Sequence, residues 1–137
     1  LEFNARFGDP ETQAIMLRFD SDLVPYLLEC AKGSLGVLPP PRLKTQKSVY
    51  VVAAGAGYPG KVRKGDAISG LDTVPSETQV FFSGVSRSEE GLITSGGRVL
   101  GVGGVGDSWT LAREAAYSSL QKIRFSGMQY RTDIGEY

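Results

Sequence analysis

The sequence contains no histidine. That removes serine–histidine–aspartate and cysteine–histidine catalysis, imidazole general bases, and the zinc sites that need histidine. A single cysteine rules out an internal disulfide or a CxxC site, so a reducing, cytoplasmic compartment is expected. No apolar run approaches the roughly 18–20 residues of a membrane span, and no membrane partner is expected. Net charge is missing too. Fifteen basic residues are balanced by 15 acidic ones, which signals neither a nucleic-acid partner nor an anionic-membrane anchor. What remains is ordinary for a globular chain: 137 residues, 41% hydrophobic and 22% charged, enough for one core without metal or disulfide. The 18 glycines and 7 prolines predict many turns.

Residues 1–7 alternate strictly. Leu1, Phe3, Ala5 and Phe7 share one side of a strand, and Glu2, Asn4 and Arg6 the other. Because the alternation begins with the first residue, the chain is expected to be part of a longer polypeptide. Gly8-Asp9-Pro10 breaks the strand, and residues 11–18 read as a short helix. A second helix starts at Ser21-Asp22. Its stripe of Leu23, Leu27, Cys30 and Ala31 predicts one buried face, with Cys30 a small buried hydrophobe. With Asp22 as N-cap, Pro25 sits at a position whose N–H would be unpaired anyway, and Gly33 is the expected stop.

Leu38-Pro39-Pro40-Pro41 reads as a stiff linker, dividing the chain into residues 1–38 and a β-rich remainder, 39–137. Strands are expected over 48–54, 67–71, 78–85, 92–95 and 98–102, with a hairpin turn at Glu90-Gly91 between the third and fourth. Gly57-Tyr58-Pro59-Gly60 is a tight turn in which a cis bond is an option. Asp107 or Ser108 caps the clearest helix. Its stripe of mostly small residues (Leu111, Ala112, Ala115, Ala116, Ser119, Leu120, Ile123) suits packing on a sheet. Trp109 opens that helix as a packing anchor or partly exposed lid. The basic clusters Arg42-Leu43-Lys44 and Lys61-Val62-Arg63-Lys64 read as solvated surface, the second with an option of bordering an anionic substrate. The predicted class is α+β, a small antiparallel sheet packed with helices.

Chemistry concentrates at the first strand. Alternate residues lie roughly 6.6–6.8 Å apart, so a Glu2 carboxylate and an Asn4 amide oxygen can converge on one hard cation such as Mg²⁺. Arg6, one step further, can meet phosphate with its planar fork. On spacing alone, an amphipathic strand with a solvated face is the simpler account. Arg98, after Gly96-Gly97, can meet a phosphate or carboxylate or merely start a strand. Gly101-Val102-Gly103-Gly104-Val105-Gly106 has the form of a dinucleotide fingerprint. It lacks a following parallel strand with an acid, and only Asp133 in an aperiodic tail offers one.

The longer string Glu2-Phe3-Asn4-Ala5-Arg6-Phe7-Gly8-Asp9-Pro10-Glu11-Thr12-Gln13 resembles the closing catalytic strand of the phosphoribosylamine–glycine ligases, members of the ATP-grasp superfamily. Further strings resemble their C-terminal domain, in family order: Gly57-Tyr58-Pro59-Gly60, Lys64-Gly65, Ile68-Ser69-Gly70-Leu71, Gly96-Gly97-Arg98-Val99-Leu100-Gly101-Val102, Gly106-Asp107-Ser108 and Tyr130-Arg131-Thr132-Asp133-Ile134-Gly135. The resemblance implies that residues 1–38 close an ATP-grasp core and that 39–137 form the C-terminal α+β domain. It implies Mg²⁺ or Mn²⁺ held by Glu2 and Asn4 against ATP, Arg6 beside the transferred phosphoryl group, and Asp9 orienting a substrate. For Arg98 it implies a structural or site-bordering role without a firm ligand. It also implies a ligase joining glycine to 5-phosphoribosylamine through glycyl phosphate in purine synthesis. The parts of the family's site that lie earlier in its members would make a missing N-terminal part the partner and this chain alone inactive. The alternative is a non-catalytic docking or structural module of a multifunctional purine enzyme.

Overall fold

A computed structural model describes residues 5–136. Helix α1 (Glu11–Arg18) follows Pro10, which offers no side-chain cap. Helix α2 (Leu23–Lys32) is capped as its sequence demands. The Asp22 carboxylate accepts from the Val24 N–H at 2.9 Å, and Gly33 ends the helix at φ +71°, a left-handed conformation that glycine adopts without steric cost. Strands β1 (Lys47–Ala54), β2 (Gln79–Phe82) and β5 (Arg98–Gly106) form an antiparallel sheet in the order β1-β5-β2. A separate hairpin pairs β3 (Val85–Ser88) with β4 (Gly91–Thr94). Helix α3 (Trp109–Leu120) begins at Ser108, whose hydroxyl accepts from the Leu111 N–H at 3.2 Å. The fold is α+β. Among the described residues no helix is long and apolar enough to cross a membrane.

The period of two assigns each face of the sheet to a helix. Val49, Val51 and Ala53 stand opposite Gly104, Val102 and Leu100, and this face meets Ala112, Ala116 and Leu120 of α3 in the core. Tyr50 and Val52 stand opposite Gly103 and Gly101 on the other face. There Leu17 of α1 lies over Gly103, and the Ser48 hydroxyl donates to the Ala14 carbonyl at 2.7 Å.

This layering excludes the dinucleotide fingerprint, which the missing parallel strand already counted against. Residues 101–106 are not a loop between strand and helix; they complete β5, and β5 pairs antiparallel with both neighbours. A Cβ on Gly104 would strike the Ala112 carbonyl and the Ala116 N–H. One on Gly106 would lie 2.7 Å from the Ala112 nitrogen. The glycines let α3 approach the strand closely, and the run is paired with β1 along its whole length.

Other expectations shift for local reasons. The strand expected over 67–71 is reduced to two bridges, Ala67 with Ile93 and Ser69 with Arg124, because Gly70 turns at φ +80° into a 3₁₀ turn at Leu71–Thr73. The strand expected over 78–85 is split at Ser83-Gly84. Gly84 packs on the backbone of Gly96 and Arg98, and the chain leaves the sheet to form the hairpin. That hairpin turns at Glu89-Glu90, with Gly91 at φ +131° already opening β4. Residues 5–7 form no strand, and the rest of the strand expected over 1–7 lies outside the described residues.

Cys30 is exposed, not buried. No residue of α2 is buried. Its apolar stripe faces a shallow groove made with Phe19, Leu35, Leu38 and the three prolines, not the sheet.

Candidate functional site

A cleft of about 530 Å³ opens beside β1. Its floor comes from Val51, Val52 and Ala54, and the loop before α1 contributes Pro10. Tyr58 enters from the loop after β1, Arg98 from the start of β5, and Tyr130, Arg131 and Ile134 from the C-terminal tail. A mostly apolar pocket with a few convergent polar groups is the usual form of a small-molecule site.

The tail is held against this cleft by α3. Arg113 donates from Nε to the Ile134 carbonyl at 3.1 Å, and its guanidinium sits 4.7 Å from the centre of the Tyr117 ring. The Tyr117 hydroxyl donates to the Arg131 carbonyl at 2.7 Å and accepts from the Ile134 N–H at 3.1 Å. Burial raises the Tyr117 pKa, so the hydroxyl stays a donor. Arg131 forms an ion pair with Asp133, which draws that carboxyl down to about 2.

Besides Arg131, a second cation lines the cleft, Arg98. Its Nη1 donates to the Asp9 carbonyl at 2.8 Å and lies 3.4 Å from the Asp9 carboxylate, and its Nε donates to the Tyr58 hydroxyl at 3.0 Å. The Tyr58 hydrogen bond is the largest influence raising the Arg98 pKa, which keeps the charge in place. Gln13 donates to the other Asp9 oxygen at 3.3 Å. Tyr50 lines the same cleft, and burial, with Asp9 adding, pushes its phenol up to about 12. It is neutral at any physiological pH.

Two residues nominated separately, Asp9 and Arg98, are thus brought together across 89 positions of sequence. Arg6 does not join them. Among the described residues its guanidinium reaches only the carbonyl of its neighbour Phe7, at 3.2 Å. Glu2 and Asn4 lie outside the described residues. Among the described residues no group of three acidic or thiol side chains could hold a metal. In the basic cluster 61–64, Arg63 is taken by Asp66 at 2.9 Å and by Ser126. Trp109 is partly exposed, with the Lys47 ammonium 6.0 Å from its ring centre.

Sequence reasoning missed Gln129. Its side chain donates to the carbonyls of Gly55 (3.1 Å) and Tyr58 (2.9 Å), and its backbone pairs with Ala54. Nothing in the local pattern of the tail marks it. It missed Tyr58 as a partner of Arg98 as well, although Gly97 carried a signal. A Cβ there would lie 2.6 Å from the Tyr58 ring, so the glycine makes room for the aromatic.

Comparison with known proteins meets this geometry. The family model described as phosphoribosylglycinamide synthetase, C domain, matches residues 48–137. The chain belongs to the phosphoribosylamine–glycine ligase family. A curated family member from Caulobacter vibrioides is 48% identical across 98% of this chain, and one from Neisseria meningitidis serogroup A is 46% identical across 99%. The crystal structure of the family member from Thermotoga maritima superposes with a TM-score of 0.82 at 38% identity over 97% of the chain. The chain spans about 32% of the length of each of these relatives.

Proposed function

We propose that this chain is the closing third of an ATP-dependent ligase that joins glycine to 5-phosphoribosylamine. A glycine carboxylate oxygen attacks the γ-phosphorus of ATP, releasing ADP and leaving glycyl phosphate. The amine nitrogen of phosphoribosylamine then attacks the acyl carbon, and phosphate departs as glycinamide ribonucleotide forms, a step of de novo purine synthesis. Such chemistry asks for positioning and charge neutralisation more than for a protein nucleophile or a histidine base.

The observation that carries this reading is the meeting of Asp9 and Arg98 at the mouth of an apolar cleft, in a chain of this family. Arg98 supplies charge and directed N–H groups for a carboxylate or phosphate, and Asp9 can accept from an amine or hydroxyl. Glu2 and Asn4 offer the hard oxygen donors that Mg²⁺ or Mn²⁺ prefers and would hold the ion, with Arg6 close to the transferred phosphoryl group. A cation there would neutralise the phosphate charge.

The remaining two thirds of the ligase would be the partner. The open apolar side of α2, where Val24 is 68% exposed, is the surface it would cover. The test compares ADP release with Mg·ATP, glycine and phosphoribosylamine by the isolated chain and by the full-length ligase. The full-length enzyme is expected to turn over and to lose at least about 100-fold on Glu2→Ala or Asn4→Ala. Steady ADP release by the isolated chain, or full activity in both variants, overturns the reading.

A further inference from the structure

Arg98 lines the cleft with a guanidinium whose plane is set at two points. Nε donates to the Tyr58 hydroxyl at 3.0 Å and Nη1 to Asp9 at 2.8 Å. Two fixed N–H directions fix a planar group, and the remaining pair on Nη2 has no protein partner among the described residues. Tyr58 is itself held on three sides. Its ring rests against the Cα of Gly97, the residue before Arg98. Its N–H donates to Gly55 at 3.2 Å, and its carbonyl accepts from the Gln129 side chain at 2.9 Å. Gln129 in turn is anchored through its backbone to Ala54, on the cleft floor.

We infer that Tyr58, steadied by Gln129, is a positioning residue that aims the free N–H pair of Arg98 at an anionic oxygen of the substrate, a carboxylate or a phosphate. This rests on the cleft being the substrate site proposed above. An unanchored arginine at that place would have to surrender its side-chain freedom on binding; one already ordered by Tyr58 and Asp9 does not. The effect therefore falls on substrate binding more than on the chemical step.

The experiment is steady-state kinetics of the full-length ligase with glycine and with phosphoribosylamine as the varied substrate. The variants are Tyr58→Phe, Gln129→Met and Arg98→Lys. Tyr58→Phe keeps the ring against Gly97 and removes only the acceptor. It is expected to raise KM for one of the two substrates about 5- to 20-fold, with a smaller change in kcat and an unchanged melting temperature. Gln129→Met moves the same KM in the same direction by less. Arg98→Lys, which keeps the charge but loses the fork, moves it by more. If Arg98→Lys raises a KM while Tyr58→Phe leaves both within twofold, the positioning role is overturned and the cleft reading stands. If Tyr58→Phe acts only by lowering the melting temperature, the role is likewise overturned. If Arg98→Lys leaves both KM values unchanged, the cleft reading fails and the inference fails with it.

Discussion

Two helices of this chain announce an apolar side, and they meet opposite fates. Helix α3 buries Ala112, Ala116, Tyr117, Ser119 and Leu120 against the sheet. Helix α2 buries nothing among the described residues, although it carries Leu23, Val24, Leu27 and Leu28 within two turns. Side-chain size separates them. The small residues of α3 allow backbone-to-backbone approach, matched by Gly104 and Gly106 on β5. The large residues of α2 need a broad facing surface, and among the described residues Phe19, Leu35, Leu38 and the prolines offer only a shallow groove. Amphipathicity states that a face must be covered; it does not name the cover.

The contrast can be broken most forcefully at Gly104. Gly104→Val drives a side chain into the backbone of Ala112 and Ala116, which no rotamer relieves. A loss of more than about 4 kcal/mol, or failure to fold, is expected in urea titration. Leu120→Ala leaves a cavity in a fully buried site and is expected to cost about 3 kcal/mol by the same measurement. Removing the cap of α3 with Ser108→Ala should cost about 1 kcal/mol. On the open helix, Val24→Ser is expected to stay within about 0.5 kcal/mol in the isolated chain; a core-sized loss there would show that the α2 face is packed after all.

The smallest effect is electrostatic. Asp133 is held at about 2 in the folded chain against an ordinary 3.8. A depressed carboxyl stabilises above its unfolded value, and that contribution is lost as pH falls from near 4 towards 2. The pair with Arg131 is exposed, so acid unfolding curves of the parent and Asp133→Asn should differ slightly, and less at high salt.

Local chemistry was legible where one residue type enforces one conformation. The span of α1, the caps at Asp22 and Gly33, and most of β1 followed from the chain alone. The glycine run did not. Glycine reads as a turn, and only a helix pressed on one face and Leu17 and Tyr50 on the other explain why a central strand needs it. The split of the expected strand at Ser83-Gly84 was hidden for the same reason, since the backbone of Gly96 and Arg98 decides it.

At the site, Arg98 could be named from its guanidinium and the glycines before it, and Asp9 only through the family resemblance of the string that holds it. That they share one cleft mouth, with Tyr58 setting the plane of the guanidinium and Gln129 steadying Tyr58, was decided by tertiary structure alone. Charge and propensity are carried by single residues and their near neighbours. Aim is set by groups that folding brings from 40 and 89 positions away.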